Sequence, residues 1–379
     1  RSINFGFSRY NLPEGAQLLM NNGSGSERIR PFTAADNMPH GQLWTPMVEG
    51  DEAVLELHVP ADKRHLVELE FASINAGFVD FNDPFASLRS GACNVDVVCS
   101  QGDQWRDQIR SVGAYTRGGI DYCSGALVNN ARGDGTPYFL TANHCASTAA
   151  HAASIVIYWN YQNSFCRAPD SAASGQPGDG LRNQFNTGTT LRATNSASDF
   201  TLLETLKPVN PAFELYWSGV DATGNTPNAT IAIHHPGVEE KRISFEDDPL
   251  TIASYLGAPG SGTTHWRIAD WDLGTTEGGS SGSPIFTPFP DKRIVGQLHG
   301  GYAACGNNDA DWYGRVSVSW VGGGTAATQL KAWLDPDDTG ILQIDGRNAA
   351  PFTLSVDPAT ASVCASAGSA TFNVSVGQA

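Results

Sequence analysis

The chain has 379 residues with 39 acidic against 23 basic side chains, a net charge of −16 and a pI near 4.8. That balance argues against nucleic acid or an anionic membrane as the main partner. The length allows two to three domains, and no run of 18 or more apolar residues marks a transmembrane helix. Forty-one glycines and twenty-one prolines among many short alternating runs favour an all-β body over a helical one. The chain opens on Arg1 without a charged-then-apolar leader, so any export signal is expected to be gone from this sequence.

Residues 1 to about 88 read as strands, among them "AQLLMNN", "AVLELHV" and "HLVELEFASI", with no cysteine. They are expected to form a separate β-rich unit over 1–89, a prosegment or a permanent N-terminal domain, left through the loop-like "FNDPFASLRSG". The middle, 90–345, carries strand candidates "SGALVNN", "YFLTA", "ASIVIYWNY", "FTLLETL", "ATIAIHH" and "IVGQLHG". It ends in an amphipathic helix candidate, "TAATQLKAWL" (325–334). From 346 a linker leads into Val/Thr/Ser alternation that reads as the truncated start of a β-sandwich.

Seven cysteines, at 93, 99, 123, 145, 166, 305 and 364, contain no C-x-x-C pair, which disfavours a zinc ribbon or thioredoxin-type site. Six of them could close three bridges in an oxidising compartment, leaving Cys364 over. "TTEGGSSGSPIF" (275–286) suits a tight turn whose backbone N–H groups stay free. A serine presented there needs a base, and the base needs an orienting acid. "YFLTANHCAS" puts His144 just past a strand, and "SASDFTLLE" puts Asp199 at the start of an apolar one. The order His, Asp, Ser is informative, because unrelated hydrolase folds use other orders. "IHHPGVEEKR" gathers His234, His235, Glu239 and Glu240 but lacks the H-E-x-x-H spacing of a helical zinc site, so a strand end and polar loop is expected. No metal or cofactor is called for.

The motifs "TANHC", "SDFTLLE" and "GGSSGSP" resemble those of chymotrypsin-like serine proteases. More narrowly, "GACNVDVVC", "VIYWNYQNSFCRAP", "AIHHPGVEEKRIS", "GSSGSPIF", "VGQLHGG" and "DWYGRV" resemble the secreted bacterial lysyl endopeptidases, in order, over about 91–345. The N-terminal region resembles the prosegment of such enzymes. The resemblance implies a double six-stranded β-barrel with a C-terminal helix, secretion, and a monomer that cleaves proteins after lysine. It makes Ser281 the nucleophile, His144 the base and Asp199 its partner, with the N–H groups of Gly279 and Ser281 as oxyanion hole. Ser280 stands where trypsin-like zymogens carry an aspartate, so that ion-pair switch is not available through it.

The same resemblance places the pocket acid at Asp311, in preference to the nearby Asp309. It sets His299 near the triad, with Tyr255 as the counterpart of a stacking aromatic residue. It pairs Cys93–Cys305, Cys99–Cys166 and Cys123–Cys145; six cysteines alone allow 15 pairings. Five lysines against 18 arginines fit a lysine-cutting enzyme that spares itself, or equally an arginine-rich genome. Arginine or mixed specificity, and an inactive protease-like binding module, remain alternatives. "SLRSGAC" allows maturation after Arg89, a bond that a strict lysyl enzyme would not favour.

Overall fold

The computed structural model describes residues 2–77, 90–119, 121–307, 309–349, 352–357 and 373–378. Arg89 and Cys364, singled out in the sequence, lie outside them.

Two β-barrels form the middle of the chain, as the all-β, chymotrypsin-like expectation requires. The first is a single sheet in the order β5-β4-β1-β2-β3-β7-β6. Its strands are β1 (Val112–Arg117), β2 (Asp121–Val128), β3 (Tyr138–Ala142), β4 (Ile155–Trp159), β5 (Phe185–Thr187), β6 (Thr189–Asn195) and β7 (Phe200–Thr205). Its two edges, β5 and β6, are consecutive pieces of one strand bent at Gly188, whose φ is +75°. The bend closes the sheet on itself, so six strands' worth of chain make a barrel with no free edge. Runs such as Tyr138–Ala142 and Ile155–Trp159 are buried at every position, because one face fills the barrel and the other is covered.

The second barrel uses β8 (Thr230–His234), β9 (Arg242–Glu246), β10 (His265–Ile268), β11 (Pro284–Phe286), β12 (Ile294–Gly301) and β13 (Asp311–Arg315). They pair in the order β10-β13-β12-β11-β8-β9. The chain leaving β10 returns to β9, where Phe245 N–H donates to the Leu273 carbonyl at 2.9 Å, and this joins the two ends of the sheet.

The helix expected over 325–334 is one turn, Lys331–Leu334, and a six-residue helix, Val316–Val321, precedes it. Gly322–Gly324 separates the two, and the expected run gives its backbone groups to chain outside it: the Leu330 N–H donates to the Ser319 carbonyl and the Ala327 carbonyl accepts the Thr194 N–H, each at 2.9 Å.

Residues 2–77 fold into two small antiparallel sheets around Phe5, Phe7, Tyr10, Leu18, Met20 and Phe32. Val156, Tyr158 and Phe185 of the first barrel belong to the same apolar cluster. Tyr158 Oη accepts the Met47 N–H at 3.0 Å, and Thr187 Oγ1 donates to the Trp44 carbonyl at 2.6 Å. At the C-terminal end, Phe352–Asp357 pairs antiparallel with Asn373–Gln378.

Because Phe185 is shared between the two units, Phe185→Ala should cost the full chain about 3–5 kcal/mol in urea unfolding. A loss under about 1 kcal/mol would mean that the N-terminal unit and the barrel do not share a core.

Candidate active site

His144 sits two residues beyond β3, where three contacts fix its backbone. Asn143 N–H donates to the Asp199 carbonyl at 2.8 Å, a Cys123–Cys145 disulfide ties the loop to β2, and an Arg117 guanidinium N–H donates to the Cys145 carbonyl at 2.6 Å. The Asp199 carboxylate then takes both the His144 backbone N–H, at 3.0 Å, and ring Nδ1, at 2.8 Å. Its side chain is 3% exposed against 39% for the imidazole. A carboxylate accepts hydrogen bonds, so Nδ1 carries the ring proton and Nε2 keeps its lone pair.

Asp199 reaches this position through a left-handed backbone, φ +56°. The second barrel supports the bend. Buried Gln297 donates through Nε2 to the carbonyls of Ser198, at 2.7 Å, and Asp199, at 3.3 Å. A Cβ at Gly314 would lie 1.8 Å from the Ser198 carbonyl oxygen, so only glycine lets β13 pass there.

The 278–283 turn is positive in φ at Gly279 (+91°) and Gly282 (+80°). It rests on β2 and β3: a Cβ on Gly282 would meet Thr141 Oγ1 at 2.2 Å and the Ser124 carbonyl at 2.5 Å. Ser124 holds the turn at two points, its N–H donating to the Ser281 carbonyl at 2.8 Å and its hydroxyl to the Gly279 carbonyl at 2.9 Å. Within the turn, the Ser280 N–H is used by the Glu277 carbonyl and the Gly282 N–H by Leu298. Among the described residues the N–H groups of Gly279 and Ser281 have no acceptor, and the half-exposed Ser281 hydroxyl has no partner.

Asp311 begins β13 and is 1% exposed, whereas Asp309 is exposed. Its Oδ2 accepts from Trp271 Nε1 at 2.8 Å and Thr276 Oγ1 at 2.6 Å. Burial pushes its pKa up, and these hydrogen bonds pull it partly back. No cation pairs with it among the described residues. Only glycine fits at Gly301 beside the acid, since a Cβ there would come within 2.3 Å of Oδ1.

His299 stands beside this group in a stack. The Tyr255 ring lies 3.5 Å from it at 5°, and the His144 ring lies 5.5 Å away at 18°. His299 Nε2 is 3.7 Å from Asp199 Oδ2, and Nδ1 is 3.0 Å from Nε2 of His265, whose Nδ1 is 2.7 Å from Thr264 Oγ1. Burial and the neighbouring His299 push His265 down to about 4, and burial lowers His299 as well, so these two rings are neutral near pH 7. A bare Nε2 facing a carboxylate would be repelled. The chain of donors therefore runs from Thr264 through His265 and His299 toward Asp199.

The bridges form as Cys93–Cys305, Cys99–Cys166 and Cys123–Cys145, the pairing that the resemblance implies. The four residues of "IHHPGVEEKR" do not converge as metal ligands. Both nitrogens of His234 lie against serine hydroxyls, and His235 Nδ1 donates to the Glu239 carbonyl at 2.9 Å. The loop is polar but buried, with Glu239 to Arg242 all at 5% exposure or less. His144, Asp199 and His299 do offer ligand atoms within 4.8 Å of one another, as do Cys123, His144 and Cys145, but those two cysteines are disulfide-bonded.

The family profile "Lysyl endopeptidase, C-terminal domain" matches residues 88–314. The chain belongs to the lysyl endopeptidase family. A lysyl endopeptidase of Pseudomonas aeruginosa is 28% identical over 313 residues, 78% of this chain and 64% of that protein. "Secreted RxLR effector protein 73" of Plasmopara viticola is 25% identical over 54% of this chain and 47% of its own length. The chain thus spans less than two thirds of either relative. Among solved structures, the inactive form of the Rv3671c protease of M. tuberculosis aligns with a TM-score of 0.36 and 13% identity, over 59% of this chain and 91% of that one. Deg5 aligns at 0.34 and 13%, over 57% and 89%. At these scores the likeness carries no weight, and the fold of this family member rests on its own strand order.

Gly314→Ala should push Ser198 and Asp199 away from His144. The downfield proton resonance of an Nδ1–H held by a carboxylate should be present in the parent chain and absent from this variant. Its persistence would mean that β13 does not set the acid's position.

Proposed function

We propose that this chain is a secreted serine endopeptidase that cleaves on the carboxyl side of lysine. The observation that carries the reading is a base and an anion trap made ready around one turn: His144 with Nε2 free, and two unpaired N–H groups flanking the Ser281 side chain. In this reading His144 takes the Ser281 proton as the hydroxyl attacks the scissile carbonyl. The developing oxyanion accepts from the Gly279 and Ser281 N–H groups, an interaction worth about 10²–10³ in rate per donor. Asp199 stabilises the imidazolium, which then protonates the leaving amine, and water releases the acyl group by the same steps in reverse. Every step uses groups of the chain itself. Three disulfides fit an extracellular setting.

For the pocket, Asp311 is the acid whose neutralisation would be relieved by a substrate cation. Its Oδ2 already accepts two hydrogen bonds, which leaves a narrow, one-sided acceptor. That suits the compact ammonium of lysine better than the planar fork of arginine, which binds a carboxylate through both oxygens. Residues 1–89 are read as a removable prosegment docked on the first barrel, and 346–379 as a linker and the start of a further β-unit. Protein or peptide substrates with lysine are the partners, and the enzyme acts as a monomer.

The test compares matched peptides with Lys or Arg before the scissile bond, on the full chain and after limited cleavage near residue 90, with Ser281→Ala as blank. A large lysine preference abolished in Ser281→Ala is expected. Equal rates would remove the lysyl assignment, and no turnover in either form would favour the inactive binding module. Thr276→Val, which frees one face of Oδ2, should lower the Lys-to-Arg ratio of kcat/KM by about tenfold, the equivalent of one hydrogen bond. An unchanged ratio would mean that the capped oxygen does not select the cation.

A further inference from the structure

Ser280, the residue before Ser281, is fully buried, and so are His234 and Ser244. Their side chains form one hydrogen-bonded chain whose direction is set at both ends. The Glu277 backbone N–H donates to Ser280 Oγ at 3.2 Å. Ser280 Oγ lies 2.8 Å from His234 Nδ1, and His234 Nε2 lies 3.0 Å from Ser244 Oγ. Ser244 Oγ donates to the Thr275 carbonyl at 2.7 Å.

That last bond uses the only hydrogen on Ser244, so its hydroxyl must accept from Nε2, which carries the ring proton. Nδ1 is then an acceptor and takes the Ser280 hydrogen. Every polar atom of the chain is satisfied with His234 neutral and in a single tautomer. Burial, with the Arg242 charge beside it, pushes the His234 pKa down to about 3, in keeping with that state. The chain begins and ends in the 275–281 segment itself, so it braces the turn in addition to the hold that Ser124 has on Gly279 and Ser281.

We propose that His234 is a positioning residue for the nucleophile turn: acting through the Ser280 hydroxyl, it keeps the Gly279 and Ser281 N–H groups aimed at one point. Neither ring nitrogen is left to touch substrate, so His234 acts on the reacting step through Ser280; Thr276, between the two anchors of the chain, ties the same segment to Asp311 at 2.6 Å. The inference rests on Ser281 as nucleophile.

The experiment measures kcat on a lysyl peptide, and inhibition by n-butylamine, an alkylammonium that reads the Asp311 pocket alone, in whichever form of the chain turns over. His234→Phe and Ser280→Ala should each lower kcat by about 10–10²-fold, the scale of a misplaced oxyanion donor. The n-butylamine Ki should change much less than kcat, since neither variant removes the Thr276–Asp311 hydrogen bond itself. The double variant should be no slower than the worse single one, because both act through one bond. His234→Asn, whose side-chain oxygen replaces the Nδ1 acceptor, should recover part of kcat. Should His234→Phe fail to fold, Ser280→Ala decides alone, since it removes one oxygen from an intact core. Unchanged kcat, a Ki that weakens in parallel, or effects that multiply would each overturn the proposal. A parent chain with no Ser281-dependent turnover would overturn the functional reading, and this inference with it.

Discussion

The site depends on one buried carboxylate. Asp199 is nearly sealed from water, and an ionised acid there is tolerated only if donors surround it. His144 supplies two, from its backbone and its ring, so the need that fixes the acid also fixes the imidazole. The left-handed bend that presents the acid costs about 1–2 kcal/mol in an L-residue. Gln297 offsets it by holding the Ser198 and Asp199 carbonyls from the facing barrel. Neither barrel alone sets this geometry: the first brings His144 and Asp199 to its rim, and the second locks the acid in place.

Asp311 shows the same side chain in the opposite condition. Its hydrogen bonds come from neutral groups, Trp271, Thr276 and the Ala303 backbone, and burial leaves its charge poorly compensated. One aspartate is therefore satisfied within the fold and serves as scaffold, while the other stays short of a cation. The difference arises from the neighbours each strand brings, since both acids open a β-strand or lie one residue before one and both are buried.

Much of the site was legible because its groups fall in short motifs with a chemical reason for their order. His144, Asp199 and Ser281 each sit beside a strand end or turn that the local sequence announces. Ser124, Gln297, Gly314 and His265 were not legible. Each matters only through a contact with chain far away in sequence, 155 residues for Ser124 and Gly279, 99 for Gln297 and Ser198. A serine in "SGALV" or a glycine in "DWYGRV" carries no local sign of that. The fold was legible as all-β, yet Ser2–Asn11, the joint-longest strand, was passed over, because its interior "GFSRY" lacks a clean alternation. The 325–334 helix failed for the converse reason: helical spacing was present, but the Leu330 N–H and the Ala327 carbonyl pair with Ser319 and Thr194, both outside the run.

The buried "EEKR" segment explains how charge can lie under the 278–283 turn without disturbing it. Cys93 and Cys99 are each bridged to distant chain and hold Asp96 between them. Asp96 accepts from Arg167 through both oxygens, at 2.9 Å each, and pairs with Arg242 at 2.9 Å. Arg167 follows Cys166, so the Cys99–Cys166 bridge also delivers the first cation to the acid. Arg242 stands opposite His234 in the β8–β9 register. Its charge, balanced by Asp96, adds to burial in keeping that histidine neutral. Losing Asp96 would break the Arg242 ion pair and leave Arg167 only Glu240, at 3.5 Å, a cost of about 3–5 kcal/mol. It would also strengthen the positive field on the one ring that braces Ser280. The disulfides thus do more than shorten the unfolded chain: they place the counter-charge that lets a neutral hydrogen-bonded support stand beneath the turn.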